Sequence, residues 1–175
     1  AKFLAEMGAE LTVTDLKSEK ELVPSLKKLK ASNLKAISYR LGEHRLEDFK
    51  DRDFILKAAG VPLDSSFIAE ARKNNIPVKM DASWFAELAS PGVTLIGITG
   101  TRGKSTTTQM IYEILRAAKG SPLKTRDPRV TLNSRVFLGG NVKGVATLPL
   151  LKKVKSGDIV VLELDSWQLQ GFGEA

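Results

Sequence analysis

The stretch GITGTRGKSTTT, residues 97–108, carries side chains suited to holding a nucleotide phosphate. Gly100 and Gly103 allow backbone N–H groups to point inward and form an anion-binding nest. Lys104 can reach the outer phosphates, and the N-terminal end of a following helix adds positive charge. Ser105 would offer its hydroxyl to a magnesium ion bound between phosphates. We predict a phosphate loop here; the alternative is a glycine-rich turn that binds nothing.

A carboxylate is expected beside such a loop, because Mg²⁺ that bridges phosphates takes oxygen ligands from the protein. Glu163 lies at the end of the apolar run DIVVLEL, where a charged side chain is costly unless it meets a cation. We therefore predict that Glu163 is the metal ligand. Asp165 is a second candidate, and its alternative role is to cap a helix.

Strands and helices are predicted to alternate along the chain, which is typical of an α/β fold with a parallel sheet and helices on both faces. Apolar runs predict strands over residues 9–15, 34–40, 53–57, 76–80, 93–96, 135–142 and 157–164. Helical spacing and capping signals predict helices over residues 1–8, 18–30, 46–50, 64–75, 81–89 and 104–118. In the helix after the phosphate loop, we expect the core-facing residues to be Met110, Ile111, Ile114 and Leu115.

The alternating pattern restarts near Ser90 and Pro91, which predicts two domains, residues 1–90 and residues 91–175. Between the last predicted helix and the next strand, segment 119–135 is rich in proline, glycine and basic residues. We interpret this segment as a long solvated loop.

Composition excludes several kinds of site. The chain of 175 residues has no cysteine and one histidine, so disulfides and a zinc site of the usual ligand types are not expected. Its net charge of +7 is spread over mixed lysine and glutamate stretches, which favours solvated helix faces over a nucleic-acid surface. No apolar run approaches the roughly 20 residues that cross a bilayer. We expect a cytoplasmic monomer with small-molecule substrates and neither nucleic-acid nor membrane partners, and we interpret His44 as a surface residue.

Three motifs, GITGTRGKSTTT, FLGGNV and VVLELDSWQLQ, occur in this order and resemble those of the Mur ligases of peptidoglycan synthesis. The phosphate loop of that family lacks the first glycine of the strict loop pattern, as this chain does at Ile98. The resemblance covers essentially the whole chain. Arg102 stands where the family has asparagine, Asp165 stands where it has serine, and AAGVP replaces its Ser-Pro-Gly turn.

The resemblance implies a partial Rossmann-like N-terminal domain followed by a partial P-loop-type ATPase domain. It also implies an ATP- and Mg²⁺-dependent ligase that joins D-glutamate to UDP-N-acetylmuramoyl-L-alanine through an acyl phosphate. By motif match, the ATP-binding residues are Gly100, Thr101, Arg102, Gly103, Lys104, Ser105, Thr106 and Thr107, and Lys104 is also catalytic. The implied metal ligands are Ser105 and Glu163. The implied contacts to the UDP-muramoyl substrate are Asn141, Ser166, Asp15 and Lys17.

The resemblance further predicts that the chain is part of a longer protein and does not ligate alone, because the family's first strand and its C-terminal domain have no counterpart in these residues. Two alternatives stay open. One is a truncated paralogue that binds nucleotide without turnover. The other is a different amide ligase, such as folylpolyglutamate synthase or another Mur enzyme, although LGGN and ELDSWQLQ argue against it.

Overall fold

The computed structural model describes residues 1–30, 36–118 and 134–173. Contacts divide the chain into two compact units. One unit consists of Ala1–Ile55 and Pro62–Val78, and the other of Leu56–Val61 and Lys79–Ala175. The compact units thus separate earlier along the chain than Ser90 and Pro91, where the sequence predicts a domain boundary; that boundary stays a prediction.

The first unit is built around a parallel strand pair. Its elements are α1 (Lys2–Glu6), β1 (Leu11–Asp15), α2 (Glu19–Lys30), β2 (Ile37–Leu41), a 3₁₀ turn (Leu46–Phe49) and α3 (Ser66–Lys73). Strands β1 and β2 pair from Leu11 opposite Ile37 to Asp15 opposite Leu41. Two short strands, β3 (Ile55–Leu56) and β4 (Val78–Lys79), form a separate two-stranded sheet.

The predicted helix starts of the first unit have local explanations. Ser65 caps α3, since its hydroxyl accepts a hydrogen bond from the Ile68 amide. Before α2, the Glu21 carboxylate accepts hydrogen bonds from the Ser18 amide and hydroxyl. His44 is partly buried rather than on the surface, because its ring contacts Phe67 edge-on at 5.2 Å between ring centroids.

The second unit contains a three-stranded parallel sheet in the order β5-β7-β6. Its elements are α4 (Asp81–Leu88), β5 (Thr94–Ile98), α5 (Lys104–Ala117), β6 (Val136–Gly140), a 3₁₀ turn (Leu148–Lys152), β7 (Ile159–Glu163) and α6 (Ser166–Gln170). Every residue of the central strand β7 is buried, as its continuous apolar run predicts. Ile98 and Gly140 both lie opposite Glu163, so the carboxyl ends of the three strands meet at one edge.

Helix α5 packs on this sheet with one face only. Ile111 and Leu115 pack against the cluster of Ile98, Ile159 and Val161, as predicted. The prediction that Met110 and Ile114 also face the core is wrong, because they are 59% and 60% exposed. Each residue of an α-helix is rotated by about 100° from its neighbour, so the face that carries 111 and 115 turns 110 and 114 away.

The α/β class predicted from the sequence is confirmed, with parallel strands and helices on both sides. The predicted solvated loop, residues 119–135, lies outside the described residues except for Ser134 and Arg135. Among the helices that the structure describes, none has the length and apolar character to cross a membrane.

Candidate functional site

The glycine-rich segment between β5 and α5 adopts a conformation that its glycines make possible. Gly100 has a φ of +142° and Gly103 a φ of +77°, and L-residues with a side chain rarely adopt such values. Gly103 is the N-cap of α5. Within the described chain, no group accepts a hydrogen bond from the backbone N–H of Thr101, Arg102 or Gly103. These N–H groups, at the positive end of α5, can therefore bind an anion.

Lys104 places its ammonium group across this loop. It is the first residue of α5, and its Nζ donates a 2.9 Å hydrogen bond to the Gly100 carbonyl oxygen. This contact folds the side chain back over the loop. The ammonium is therefore held beside the glycine-rich loop.

Ser105 and Glu163 form the contact that joins the loop to the central strand. The Ser105 hydroxyl donates a 3.0 Å hydrogen bond to Glu163 Oε1. Glu163 is 6% exposed. A hydroxyl and a carboxylate at this separation suit Mg²⁺, which usually takes one or two protein ligands and completes its shell with phosphate oxygens and water. Among the described residues, no cluster of three or more histidine, cysteine or acidic side chains could hold a metal ion.

The end of β6 reaches the same edge of the sheet. The Asn141 amide donates a 2.7 Å hydrogen bond to the Glu163 carbonyl oxygen. The Gly140 amide donates to the buried Thr147 hydroxyl at 2.9 Å. Asn141 itself is exposed, so its side-chain amide is available to a ligand beside Glu163.

Asp165 caps α6, which confirms the capping alternative to its role as a metal ligand. Its Oδ1 accepts a 2.7 Å hydrogen bond from the Gln168 amide, and Gln168 Oε1 accepts one from the Asp165 amide. This reciprocal pair is a capping box. Ser166 is the exposed first residue of the helix. Asp165 and Ser166 therefore come two and three residues after Glu163, the last residue of β7.

Asp15 and Lys17 lie in the first unit, at the carboxyl end of β1. Asp15 Oδ1 accepts a 2.8 Å hydrogen bond from the Lys17 amide, which fixes a local turn. The Gly42 amide donates to the Asp15 carbonyl oxygen at 2.9 Å. The turns after β1 and β2 are thus joined, and Lys17 is exposed beside them.

Lys57 is a buried charged residue that the sequence analysis does not single out. It follows β3, belongs to the second unit and is 6% exposed. Its Nζ donates to the carbonyl oxygens of Ala58, Ala59 and Val61, at 3.4, 3.3 and 2.8 Å. Burial lowers the pKa of Lys57, and the nearby Asp165 carboxylate partly offsets that effect. A charge at the end of an apolar strand, the signal that identified Glu163, is also present at Lys57.

Comparison with known proteins confirms the resemblance predicted from the motifs. Residues 98–173 match the Mur ligase middle domain, a segment that begins at the last residue of β5 and includes α6. The phosphate loop, Asn141 and Glu163 all lie within it. No part of the first unit is included in this match.

Relatives extend the similarity over nearly the whole chain. The UDP-N-acetylmuramoylalanine–D-glutamate ligase of Treponema pallidum (strain Nichols) is 38% identical over 170 residues, which are 97% of this chain and 28% of the relative. The ligases of the same name from Borreliella afzelii (strain PKo) and Roseiflexus sp. (strain RS-1) are 36% and 34% identical over 98% and 100% of this chain, and 33% of each relative is covered. The chain therefore spans about a third of the length of these relatives.

Proposed function

Because the chain is similar to Mur ligases over nearly all of its length, we propose that it is part of an ATP-dependent ligase that joins D-glutamate to UDP-N-acetylmuramoyl-L-alanine in peptidoglycan synthesis. The observation that carries this proposal is the hydrogen bond between Ser105 and Glu163 beside the phosphate loop. It brings together the two oxygen donors that a nucleotide-bound Mg²⁺ takes from a protein of this kind.

ATP binds in this proposal along the segment from Gly100 to Thr107. The backbone N–H groups of the loop and the positive end of α5 receive the phosphates. Lys104 releases its bond to the Gly100 carbonyl and binds the outer phosphates, where negative charge accumulates during transfer. Arg102 in the loop and Thr106 and Thr107 in the first turn of α5 are exposed and complete the proposed ATP-binding residues.

Ser105 and Glu163 are the proposed Mg²⁺ ligands. The metal supplies charge neutralisation of the phosphoryl group when it is bound. The chain contributes a hydroxyl on the first turn of α5 and a carboxylate that burial in β7 holds in place. Both donors are fixed by regular secondary structure, so the protein side of the site is preorganised.

Asn141 and Ser166 are proposed to contact the muramoyl part of the substrate, and Asp15 with Lys17 its uridine end. The substrate carboxylate attacks the γ-phosphorus of ATP, and the bond from that phosphorus to the β-γ bridging oxygen breaks, which gives an acyl phosphate and ADP. The amine of D-glutamate then attacks the acyl carbon, phosphate leaves, and the amine proton passes to solvent or a base. The proposed reaction takes place in the cytoplasm on small-molecule substrates by a monomeric protein.

Isothermal titration with Mg·ATP tests the nucleotide site. Lys104→Ala and Glu163→Ala are each expected to weaken binding by about tenfold or more, the equivalent of roughly 1.4 kcal/mol. Lys27→Ala and Glu10→Ala are the matched controls, since they remove the same charges at exposed positions of the first unit. Unchanged affinity in both site variants would contradict the proposal.

Phosphate release by the full-length protein tests the ligation. We expect release that requires ATP, D-glutamate and UDP-N-acetylmuramoyl-L-alanine together. Nucleotide binding without turnover would instead indicate the binding-only paralogue. Turnover with a folate and L-glutamate, or with another Mur substrate, would indicate a different amide ligase.

A further inference from the structure

Strand β5 pairs with β7 on one side, and its other side is unpaired among the described residues. The Thr94 amide donates a 2.9 Å hydrogen bond toward β7, and the Ile98 carbonyl oxygen accepts one of 2.8 Å from that side. Because hydrogen-bonding direction alternates along a strand, the amide and carbonyl groups of Leu95 and Gly97 point away from β7. These groups form a free edge, and a free edge can pair with another strand.

Helix α5 and the 3₁₀ turn Leu148–Lys152 cover opposite faces of the sheet. Leu138 of β6 packs in the cluster that α5 covers. The next residue, Gly139, faces the other way, since neighbouring residues of a strand point to opposite faces. A Cβ on Gly139 would lie 3.3 Å from Leu150 Cδ1, within the 3₁₀ turn. The helix between β5 and β6 therefore lies on one face, and the turn between β6 and β7 lies on the other.

Helix α6, which follows β7, lies on the same face as the 3₁₀ turn. Helix α4 contacts this turn, β6 and α6. Gln168 Nε2 in α6 donates a 3.4 Å hydrogen bond to Asp81 Oδ1 at the start of α4. A Cβ on Gly171, directly after α6, would lie 2.7 Å from Ser83 Oγ in α4. Helix α6 therefore packs with α4 on the face opposite α5.

The handedness of parallel crossovers determines where a strand that follows α6 would lie. Two parallel strands and the crossover between them form a right-handed unit in nearly all proteins. The step from β5 to β6 runs in one direction across the sheet, with α5 on one face. A crossover on the other face must run in the opposite direction, as the step from β6 back to β7 does. A parallel strand after α6 therefore lies beyond β5, at its free edge.

The exposed apolar residues of α5 lie on the side of this helix nearest the free edge. A crossover helix runs antiparallel to the strands, and its successive residues are rotated by about 100° in a right-handed sense. With the core-facing residues of α5 against the sheet, this rotation turns Met110 and Ile114 toward the β5 side. The same rotation turns the polar residues Gln109 and Arg116 toward the β6 side. Met110 and Ile114, which are 59% and 60% exposed, thus form an apolar stripe beside the free edge.

We propose that the free edge of β5 and the apolar stripe of Met110 and Ile114 are a docking surface for the segment that follows α6 in the full-length ligase, and that the first strand of this segment pairs in parallel with β5. The chain covers 28% to 33% of its relatives, so a ligase of their length has ample further chain to supply such a segment. Parallel pairing places the carboxyl end of the added strand at the edge that carries the phosphate loop. This inference rests on the proposed function, because it requires the longer protein.

Hydrogen exchange of the full-length protein tests the pairing of the free edge. The amides of Leu95 and Gly97 should exchange as slowly as those of Ile96 and Ile98, to within about tenfold, because both sets are then hydrogen-bonded. Exchange at Leu95 and Gly97 more than about a hundredfold faster than at their neighbours would show an open edge and overturn the inference. This measurement needs no substitution, so it holds even if variants of α5 do not fold.

Photo-crosslinking of the full-length protein tests what covers the apolar stripe. With p-benzoylphenylalanine in place of Met110 or Ile114, mass spectrometry should find a crosslink to a peptide that follows residue 175. The matched control carries the same group in place of Gln109, which is exposed on the other side of α5, and should give less than about a fifth of that crosslink. A crosslink to a second copy or to an earlier part of the chain, or no crosslink at all, would overturn the inference.

The ligation assay separates this inference from the proposed function. Full-length protein that ligates while Leu95 and Gly97 exchange freely would overturn this inference alone. Full-length protein whose free edge is protected but which binds Mg·ATP without ligation would overturn the proposed function.

Discussion

Gly140 lies directly opposite Glu163 in the pairing of β6 with β7, and there is no space for a side chain between them. A Cβ built on Gly140 would lie 2.0 Å from the Glu163 carbonyl oxygen and 2.9 Å from its carbonyl carbon. The same carbonyl oxygen accepts the hydrogen bond from Asn141. Glycine at 140 therefore lets the backbones of the two site strands approach closely and holds Asn141 beside Glu163.

Gly140→Ala should destabilise the protein by about 3 kcal/mol or more and weaken Mg·ATP binding, because β7 must shift and move Glu163. Gly144→Ala is the matched control. Gly144 has a φ of +80°, close to the +77° of Gly140, but no atom lies within 4 Å of its Cβ position. The control should lose only the strain of about 1 kcal/mol that a positive φ imposes. Chemical denaturation measures both, and equal losses would contradict the steric explanation.

Ser105→Ala should weaken Mg·ATP binding by about tenfold and leave the affinity for ATP in the presence of a chelator nearly unchanged, since the hydroxyl acts on the metal. Ser105→Thr keeps the hydroxyl and is expected to bind like the wild type. Titration calorimetry with and without Mg²⁺ measures the difference. A loss of the same size in both conditions would show that Ser105 acts on the phosphates instead.

Much of the candidate site can be predicted from the types of residue in the sequence. Gly100 and Gly103 predict a loop whose backbone N–H groups can point inward, and both have a positive φ in the structure. The charge of Glu163 within an apolar run predicts a cation beside it, which stays a prediction, and the structure places the Ser105 hydroxyl against this carboxylate. Because β5 and β7 pair in parallel, their carboxyl ends lie at one edge of the sheet, so the loop after β5 and Glu163 at the end of β7 are brought together. Local sequence signals are enough to predict these features, because a glycine-rich turn before a helix and a carboxylate in an apolar strand are each compatible with few structures.

Other features depend on contacts distant in sequence. The segment Leu56–Val61 groups with the second unit, although the sequence pattern places it among the elements of the first domain. Nothing local shows that Lys57 would be buried, with its Nζ hydrogen-bonded to the carbonyl oxygen of Val61 in a segment that groups with the second unit. Apolar residues at helical spacing likewise do not tell which of two adjacent stripes of α5 meets the sheet.

Substitutions on α5 should distinguish these two stripes. Ile111→Ala and Leu115→Ala remove contacts with the core of the second unit and should each lower the free energy of unfolding by about 2 kcal/mol. Met110→Gln and Ile114→Gln change exposed side chains and should stay within about 0.5 kcal/mol of the wild type. Urea denaturation of the 175-residue chain measures all four. Comparable losses on both stripes would indicate that 110 and 114 are covered.

Asp158 should make stability depend on pH through its contact with Arg135. Burial tends to raise the pKa of Asp158, but hydrogen bonds from the Arg135 side chain and the Lys155 amide outweigh it, and the pKa is lowered. A carboxylate with a lowered folded-state pKa stabilises the protein above its unfolded value, here 3.8, and this stabilisation is lost as the pH falls through the folded value.

Asp158→Asn should therefore cost about 2 kcal/mol at neutral pH, and the difference from the wild type should shrink as the pH falls below about 4. Denaturation midpoints measured from pH 7 down to pH 2.5 test this. Glu43→Gln, which breaks an ion pair with Arg45 between exposed side chains, is the control and should change stability by less than about 0.5 kcal/mol. A difference between Asp158→Asn and the wild type that stays constant with pH would mean that the carboxylate acts through packing and not through its charge.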